Sequence, residues 1–496
     1  MKSFSLKLDS DTNIAKYLKI AQAIRQAIKQ GQLKPKESLP SARHLAVQIG
    51  VNRHTIMAAY NELIAQGWLE AKPRSGYKVV EHLPIEASQA LASKNRLSDN
   101  GHSTSAAQFQ WHFAKQPVVV KASEKNASDY RFNFSGGQPD IREFPFKEFK
   151  SYFSHACQQP KFEQLSYGDN QGDAALLEQI AIYLRRVRAI NDKELMICNG
   201  SQEALYMVSQ LLLQAGDKVA VEPLGYPPAW AAFKSAGAEL VSVEQDEQGV
   251  VPKALAKVLV KGGVKLIYLT PLHQYPTTVT LSVGRRMEIY QLAAKYGVAI
   301  IEDDYDHEFH YDSQPIAPFA SDDPLGLVIY ISTFSKLMFG GARIGYVCAD
   351  QVLIKQLAAY KTLLNHKSNV LVQQAVAHWM RFGGFESHLR KMTRLYHKRR
   401  DHLVALLAQY QDIGLPIKFT CPAGGMAIWL DTGRSVIGLK EVLLTQDVYL
   451  QTEVEFNVNK HLAKDAYRYI RLGFAAMTEE EMAQGLDKVM QALYAI

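Results

Sequence analysis

Lys336 stands in the run Ser332-Thr333-Phe334-Ser335-Lys336, seven residues before Arg343 and one strand-and-helix unit downstream of Asp303 and Tyr305. These types supply an amine for an imine, a cation for a phosphate, a carboxylate for a pyridinium nitrogen and a phenol for a ring oxygen. Pyridoxal phosphate requires all four. Any single lysine is ordinarily a surface residue. Here, however, an apolar run leads into Ser335-Lys336, and Arg343 follows among Gly340, Gly341 and Gly345, too many small residues for an ordinary helix. A phosphate held by Ser201, Thr333, Ser335 and Arg343 accounts for that arrangement. A buried, cation-flanked lysine also has the lowered pKa that imine chemistry wants.

Further candidates lie upstream. In Asn199-Gly200-Ser201-Gln202-Glu203-Ala204-Leu205 two small residues precede a helical stretch, so the backbone N–H groups of Ser201 and Gln202 face outward, where a helix start receives phosphate. Taken alone, Gly-Ser before a helix is a cap. Tyr226, in Pro223-Leu224-Gly225-Tyr226-Pro227, is able to stack on an aromatic ring, packing being its other reading. Asp303 follows an apolar strand; opposite a pyridine nitrogen it keeps that nitrogen protonated. Tyr305, two residues on, falls on the same side of an extended chain and reaches a ring hydroxyl.

The elements that must position these groups are short β-branched runs alternating with longer amphipathic stretches from Tyr130 onward. Lys218–Glu222, Val264–Leu269, Val298–Glu302 and Val328–Ile331 are nearly continuous in apolar residues. Such runs predict an α/β domain with a mostly parallel central sheet buried on both faces, with ligands at the carboxyl ends of its strands.

With 496 residues the chain exceeds one ordinary domain. At 47% hydrophobic and 21% charged, with no apolar run of membrane-spanning length and no apolar signal core after Met1, it reads as soluble and cytoplasmic, with no membrane partner. Cys157, Cys198, Cys348 and Cys421 are far apart, with no zinc-ligand spacing, and read as reduced thiols. The net charge of +7 is unevenly placed: residues 1–83 carry 13 Lys and Arg against 6 Asp and Glu, and the remainder carries 43 of each. A basic small segment suits a polyanion and a neutral remainder suits small molecules.

In the basic segment Ile14, Tyr17, Ala21, Ile24 and Ile28 predict an amphipathic helix ended by Gly31. Ser41 caps a second helix, with Leu45, Ala46 and Ile49 inward, which Gly50 stops. After Val51-Asn52 a third helix runs through Ile56, Tyr60, Leu63 and Ile64 to Gly67, at the spacing of a helix-turn-helix. Its leading turn carries Asn52, Arg53, His54 and Thr55, where a recognition helix needs donors for bases and phosphates. Two β-prone runs from Trp68 to Val80 then turn at Pro73, Ser75 and Gly76, forming a wing whose Lys72, Arg74 and Lys78 reach a phosphate backbone or minor groove. A protein-binding module is the alternative for three helices alone.

Leu39-Pro40-Ser41-Ala42-Arg43-His44-Leu45-Ala46, Val51-Asn52-Arg53-His54-Thr55-Ile56 and Arg74-Ser75-Gly76-Tyr77 resemble the winged helix of the GntR family of bacterial regulators. That resemblance implies double-stranded DNA as partner, with Ser41, Arg43, Arg53 and Thr55 on it and Arg74 and Gly76 in the wing. His44 stands where the family often has a capping-box Glu. Residues 131–496 resemble the class I aminotransferases, fold type I of the pyridoxal phosphate enzymes. The matching stretches are Tyr167-Gly168-Asp169, Gly200–Ala204, Glu222-Pro223 with Gly225-Tyr226-Pro227, Thr270–Thr277, Glu302–Tyr305, Ser332–Lys336 with Arg343–Tyr346, and Arg471–Phe474. The resemblance implies that Lys336 forms the internal aldimine, Asp303 pairs the pyridinium, and Tyr305 with His273 or Tyr275 approaches the ring hydroxyl. It also implies that Arg471 receives a substrate carboxylate. Thr278 and Ala189 stand where the family prefers Gly, and Gly340 replaces a frequent Pro.

The two parts together resemble the MocR subfamily of GntR-type regulators. Residues 84–130, rich in Ala, Ser, Asn and Lys, read as a flexible linker with a short helix near Ile85 to Leu97, between the head at 1–83 and the cofactor domain. The resemblance implies a head-to-tail swapped homodimer that senses an amine or amino acid, or pyridoxal phosphate itself, through Lys336. A working aminotransferase with an accessory DNA-binding head is the alternative.

Overall fold

The computed structural model describes residues 15–72, 76–83, 127–158, 162–166, 169–312, 316–459 and 467–495. They fall into two compact units on either side of a division between residues 114 and 115. The short helix expected near residues 85–97 lies outside the described residues, as do Tyr167, Gly168 and, in the wing, Arg74.

In the first unit, helices Lys16–Lys29, Ala42–Ile49 and Arg53–Ala65 precede a hairpin of Leu69–Lys72 and Gly76–Val79 in antiparallel register. The apolar stripes meet in one core containing Ile20, Ile24, Leu45, Ile56, Tyr60, Leu63, Trp68 and Val79. Local signals set the ends. Ser41 accepts from the His44 N–H at 3.2 Å and Asn52 from the His54 N–H at 2.9 Å. Gly50 closes the second helix at φ 67°, a left-handed conformation that suits glycine. Tyr60 ties the third helix to the turn before the second by donating to the Pro40 carbonyl at 2.8 Å.

In the second unit a seven-stranded sheet has the order Glu194–Cys198, Gly345–Ala349, Val328–Thr333, Ala299–Asp303, Val264–Leu269, Lys218–Val221 and Glu239–Ser242. All neighbours are parallel except those of Gly345–Ala349, which runs antiparallel to both. The sheet is thus mostly parallel, as expected. Buried residues fill both its faces in two hydrophobic clusters. A smaller antiparallel sheet, Lys418–Phe419, Ala427–Asp431, Tyr469–Gly473 and Gln451–Thr452, pairs Trp429 and Gln451 with Arg471 from either side. Ala189 and Thr278, at φ 51° and 64°, both occupy the left-handed region, which gives the family's glycine preference its physical reason.

Candidate functional site

A cavity of about 350 Å³ opens at the carboxyl ends of the parallel strands. Of the residues expected there, Ser201, Gln202, Tyr226, Asp303, Tyr305, Thr333, Ser335, Lys336 and Arg343 all line it, and so does Tyr275. Asp303 and Thr333 are the last residues of their strands. Ser201 is the first residue of the helix Ser201–Leu212, whose cap Gly200 lies at φ 83°. Tyr305 stands in the turn after the strand rather than in extended chain, yet reaches the cavity all the same.

Lys336 ends a short 3-10 turn, and its Nζ donates to the Gly137 carbonyl at 2.8 Å. Burial lowers its pKa, opposed by Asp306 and reinforced by Arg471. A side chain on Gly137 would begin 3.0 Å from that Nζ, so the glycine leaves the amine its room. Asp303 is buried, and burial raises its pKa to about 7 even though Tyr268 donates to its Oδ2 at 2.8 Å. Its Oδ1 has no partner among the described residues. A buried carboxylate oxygen that lacks a protein partner and lines a cavity is open to a ligand donor.

The anion end is a cup of hydroxyls, backbone N–H groups and one guanidinium. Thr333 Oγ1 lies 2.9 Å from Ser335 Oγ and accepts from the Ser335 N–H at 3.1 Å. Arg343, held at φ 50° after the turn Gly340–Ala342, donates through Nη2 to the Asn199 carbonyl at 2.5 Å. A Cβ on Gly200 would come within 3.1 Å of Nη1, Cζ and Nη2 of the guanidinium, so Arg343 lies directly over the start of the helix.

Arg471 is buried beside the cavity. Its guanidinium carbon is 4.4 Å from the Tyr275 ring centroid, and its Nη1 would sit 1.5 Å from a Cβ on the cavity-lining Gly136. Its Nε and Nη1 have no partner among the described residues. A buried cation with free donors is what a ligand carboxylate needs.

His273 is not brought into this cavity. Its ring Nδ1 lies 2.8 Å from Asp306 Oδ1, and its part in the site is a backbone carbonyl that accepts from the Tyr305 hydroxyl at 3.0 Å. Ser135, Gln138, Tyr268, Thr270, Tyr449 and Gln451 also line the cavity without having been expected. Tyr268 sits inside a strand that reads as pure core. Gln451 comes from a strand far along the chain with no local motif. These residues fit pyridoxal phosphate: a depressed amine, an open carboxylate oxygen at one end and an anion cup at the other.

In the first unit Ser41, Arg43, Arg53 and His54 are exposed, and Thr55 is half-buried, at the starts of the second and third helices. Among the described residues neither Arg43 nor Arg53 makes an ion pair. No described helix is long and apolar enough to cross a membrane.

Comparison with known proteins agrees with both halves. Residues 134–489 match the family model for class I and II aminotransferases, and residues 16–79 that of the gntR family of bacterial regulatory proteins. The chain is 29% identical over 485 residues to the HTH-type transcriptional regulator TauR of Rhodobacter capsulatus, covering 96% of each. It is 27% identical to the probable rhizopine catabolism regulatory protein MocR of Rhizobium meliloti, over 99% of this chain and 96% of that one. Among solved structures, the kynurenine aminotransferase of Pyrococcus horikoshii, in complex with PMP, aligns with a TM-score of 0.68 and 26% identity. That alignment covers 74% of this chain and 91% of the enzyme. The chain therefore belongs to the class I and II aminotransferase family, carried behind a gntR-type DNA-binding head, the arrangement of the MocR- and TauR-type transcriptional regulators it resembles.

Proposed function

We propose that this protein is a transcription regulator that holds pyridoxal phosphate at Lys336 and reports, through its DNA-binding head, the arrival of a small amine or amino acid. The observation that carries this reading is the convergence of Lys336, Asp303, Tyr305, Ser201, Thr333, Ser335 and Arg343 on one cavity, with Asp303 Oδ1 and the Arg471 donors left open. When bound, the cofactor supplies an aldehyde carbon that condenses with amines and a ring that withdraws electrons.

The protein's own residues do the rest. Arg343, Ser201, Thr333 and Ser335 hold the phosphate, and Tyr226 flanks the ring. Asp303, poised near 7, keeps either a proton or a charge at Oδ1, as a basic ring nitrogen requires. Tyr305 places a hydroxyl at the cavity wall. Arg471 takes the carboxylate of an amino acid, and the lowered pKa of Lys336, caused by its burial, favours the amine form that exchange with an incoming amine uses. Two chains acting as a head-to-tail dimer present two recognition helices to two half-sites, with Ser41, Arg43, Arg53, His54, Thr55 and Arg74 on the DNA. Occupancy controls transcription to the extent that it changes the relative affinity of the two head arrangements for DNA.

The lowered pKa of Lys336 also suits a transaminating enzyme, so the experiment has an enzymatic arm. Full-length protein is loaded with pyridoxal phosphate, given amino acids, ω-amino acids and polyamines in turn, and followed by visible absorption and by binding to an operator selected from random DNA. A band that appears on loading, shifts with one amine and changes operator affinity supports regulation by that amine. Operator affinity that responds to the cofactor alone makes pyridoxal phosphate the signal. Release of an oxo product with unchanged operator affinity makes the protein an enzyme, and no band removes the cofactor.

A further inference from the structure

Arg343 is the exposed member of the anion cup, and its backbone is held in the left-handed region. A long exposed side chain keeps several rotamers unless something fixes it. Among the described residues its side chain makes one hydrogen bond, from Nη2 to the Asn199 carbonyl at 2.5 Å. Asn199 is itself fixed by Glu203: its backbone N–H donates to Glu203 Oε2 at 2.6 Å and its Nδ2 to Oε1 at 2.8 Å. Asn365 completes the chain by donating from Nδ2 to Glu203 Oε1 at 2.5 Å. Just upstream, the buried Lys361 donates through Nζ to the Ile197 carbonyl at 2.5 Å and to Ser368 Oγ at 2.9 Å, so the strand end before Asn199 is held as well.

Glu203 is a costly residue to find here. It lies in the first turn of the helix whose N–H groups form the cup, and a carboxylate there offsets the positive helix end that attracts an anion. On charge alone it weakens phosphate binding. We infer that Glu203 is a positioning residue for the cofactor's phosphate: it fixes Asn199, Asn199 fixes the Arg343 guanidinium, and the gain in orientation outweighs the repulsion. This rests on the pyridoxal phosphate reading above and adds a residue to it that touches no cofactor atom.

The two effects have opposite signs, which makes the inference testable. Binding of pyridoxal phosphate and of phosphate-free pyridoxal is titrated on the full chain for wild type, Glu203→Gln, Arg343→Ala and the double variant. Gln turns a donor toward Asn199 or Asn365, so Glu203→Gln is expected to weaken pyridoxal phosphate binding about tenfold and leave pyridoxal within about twofold. In the Arg343→Ala background, where only the repulsion is left to relieve, the same change is expected to cause no further loss and to leave pyridoxal phosphate binding equal or tighter. Tighter or unchanged pyridoxal phosphate binding, equal losses for both ligands, or full additivity with Arg343→Ala would each overturn it. Should Glu203→Gln not fold, Asn365→Ala removes one outer bond, and a smaller loss confined to the phosphate-bearing ligand is expected; no such selective loss overturns the inference. Wild type that binds neither ligand removes the cofactor reading itself.

Discussion

The carboxyl of Asp303 should make the cofactor-free protein less stable as pH rises through neutrality. Burial raises its pKa from the ordinary 3.8 to about 7, the Tyr268 hydroxyl and the Lys336 amine opposing this only in part. Below about pH 4 the group is protonated in folded and unfolded chains alike and has no effect. As pH rises the unfolded chain ionises freely and the buried group does not, so the folded state loses stability until pH passes about 7. At about 1.4 kcal/mol for each tenfold change in proton affinity, the full loss is on the order of 4 kcal/mol. More than half of it falls between pH 5 and pH 8. Asp303→Asn cannot ionise and lacks this slope. Urea unfolding of the cofactor-free wild type and variant at pH 5, 6, 7 and 8 measures the difference directly, since Glu222 and Glu302, also raised by burial, affect both proteins equally. The variant should gain on wild type steadily with pH while binding pyridoxal phosphate far more weakly. Parallel stability profiles would show that Asp303 is not held protonated by the empty site.

Arg53→Ala, at an exposed position in the first turn of the third helix, should abolish operator binding while leaving cofactor uptake and its absorption band intact; gel shift and spectrum check the two halves. Gly136→Ala places a methyl 1.5 Å from Arg471 Nη1 and must displace that guanidinium. Amines bearing a carboxylate should then lose at least about tenfold in affinity relative to amines without one, as spectral titration would show. Ala189→Gly relieves a left-handed alanine at the end of helix Ala174–Arg188 and should raise stability by about 0.5–1 kcal/mol, read from the urea midpoint.

The parts of this molecule written locally were legible in its sequence. Ser41 and Gly50 bracket the second helix because a cap and a left-handed stop are decided by one residue each. His44 in place of a capping-box Glu removes one half of that box, and the other half, Ser41 accepting from the His44 N–H, is present. Lys336, Arg343, Asp303 and Tyr305 were readable together because strand ends deliver them to one edge of the sheet. What pairing over distance decides was not. Gly345–Ala349 is buried throughout, and an apolar run looks the same in either direction, so its antiparallel course left no trace in composition. Tyr268 carries a hydroxyl to Asp303 from within a strand that reads as core, and Gln451 reaches the cavity only because its strand pairs with Arg471. His273 and Tyr275 were equivalent candidates in sequence; the loop after Thr270 turns the tyrosine inward and leaves the histidine ring on Asp306.

Reduction offers the most direct test that this cavity holds its cofactor through one lysine. The full-length protein is incubated with pyridoxal phosphate, reduced with borohydride, digested and mapped by mass. A phosphopyridoxyl adduct on Lys336, lost in Lys336→Ala, is the predicted result. No adduct under conditions that label a known pyridoxal phosphate enzyme, or an adduct on other lysines that persists in Lys336→Ala, would contradict the account.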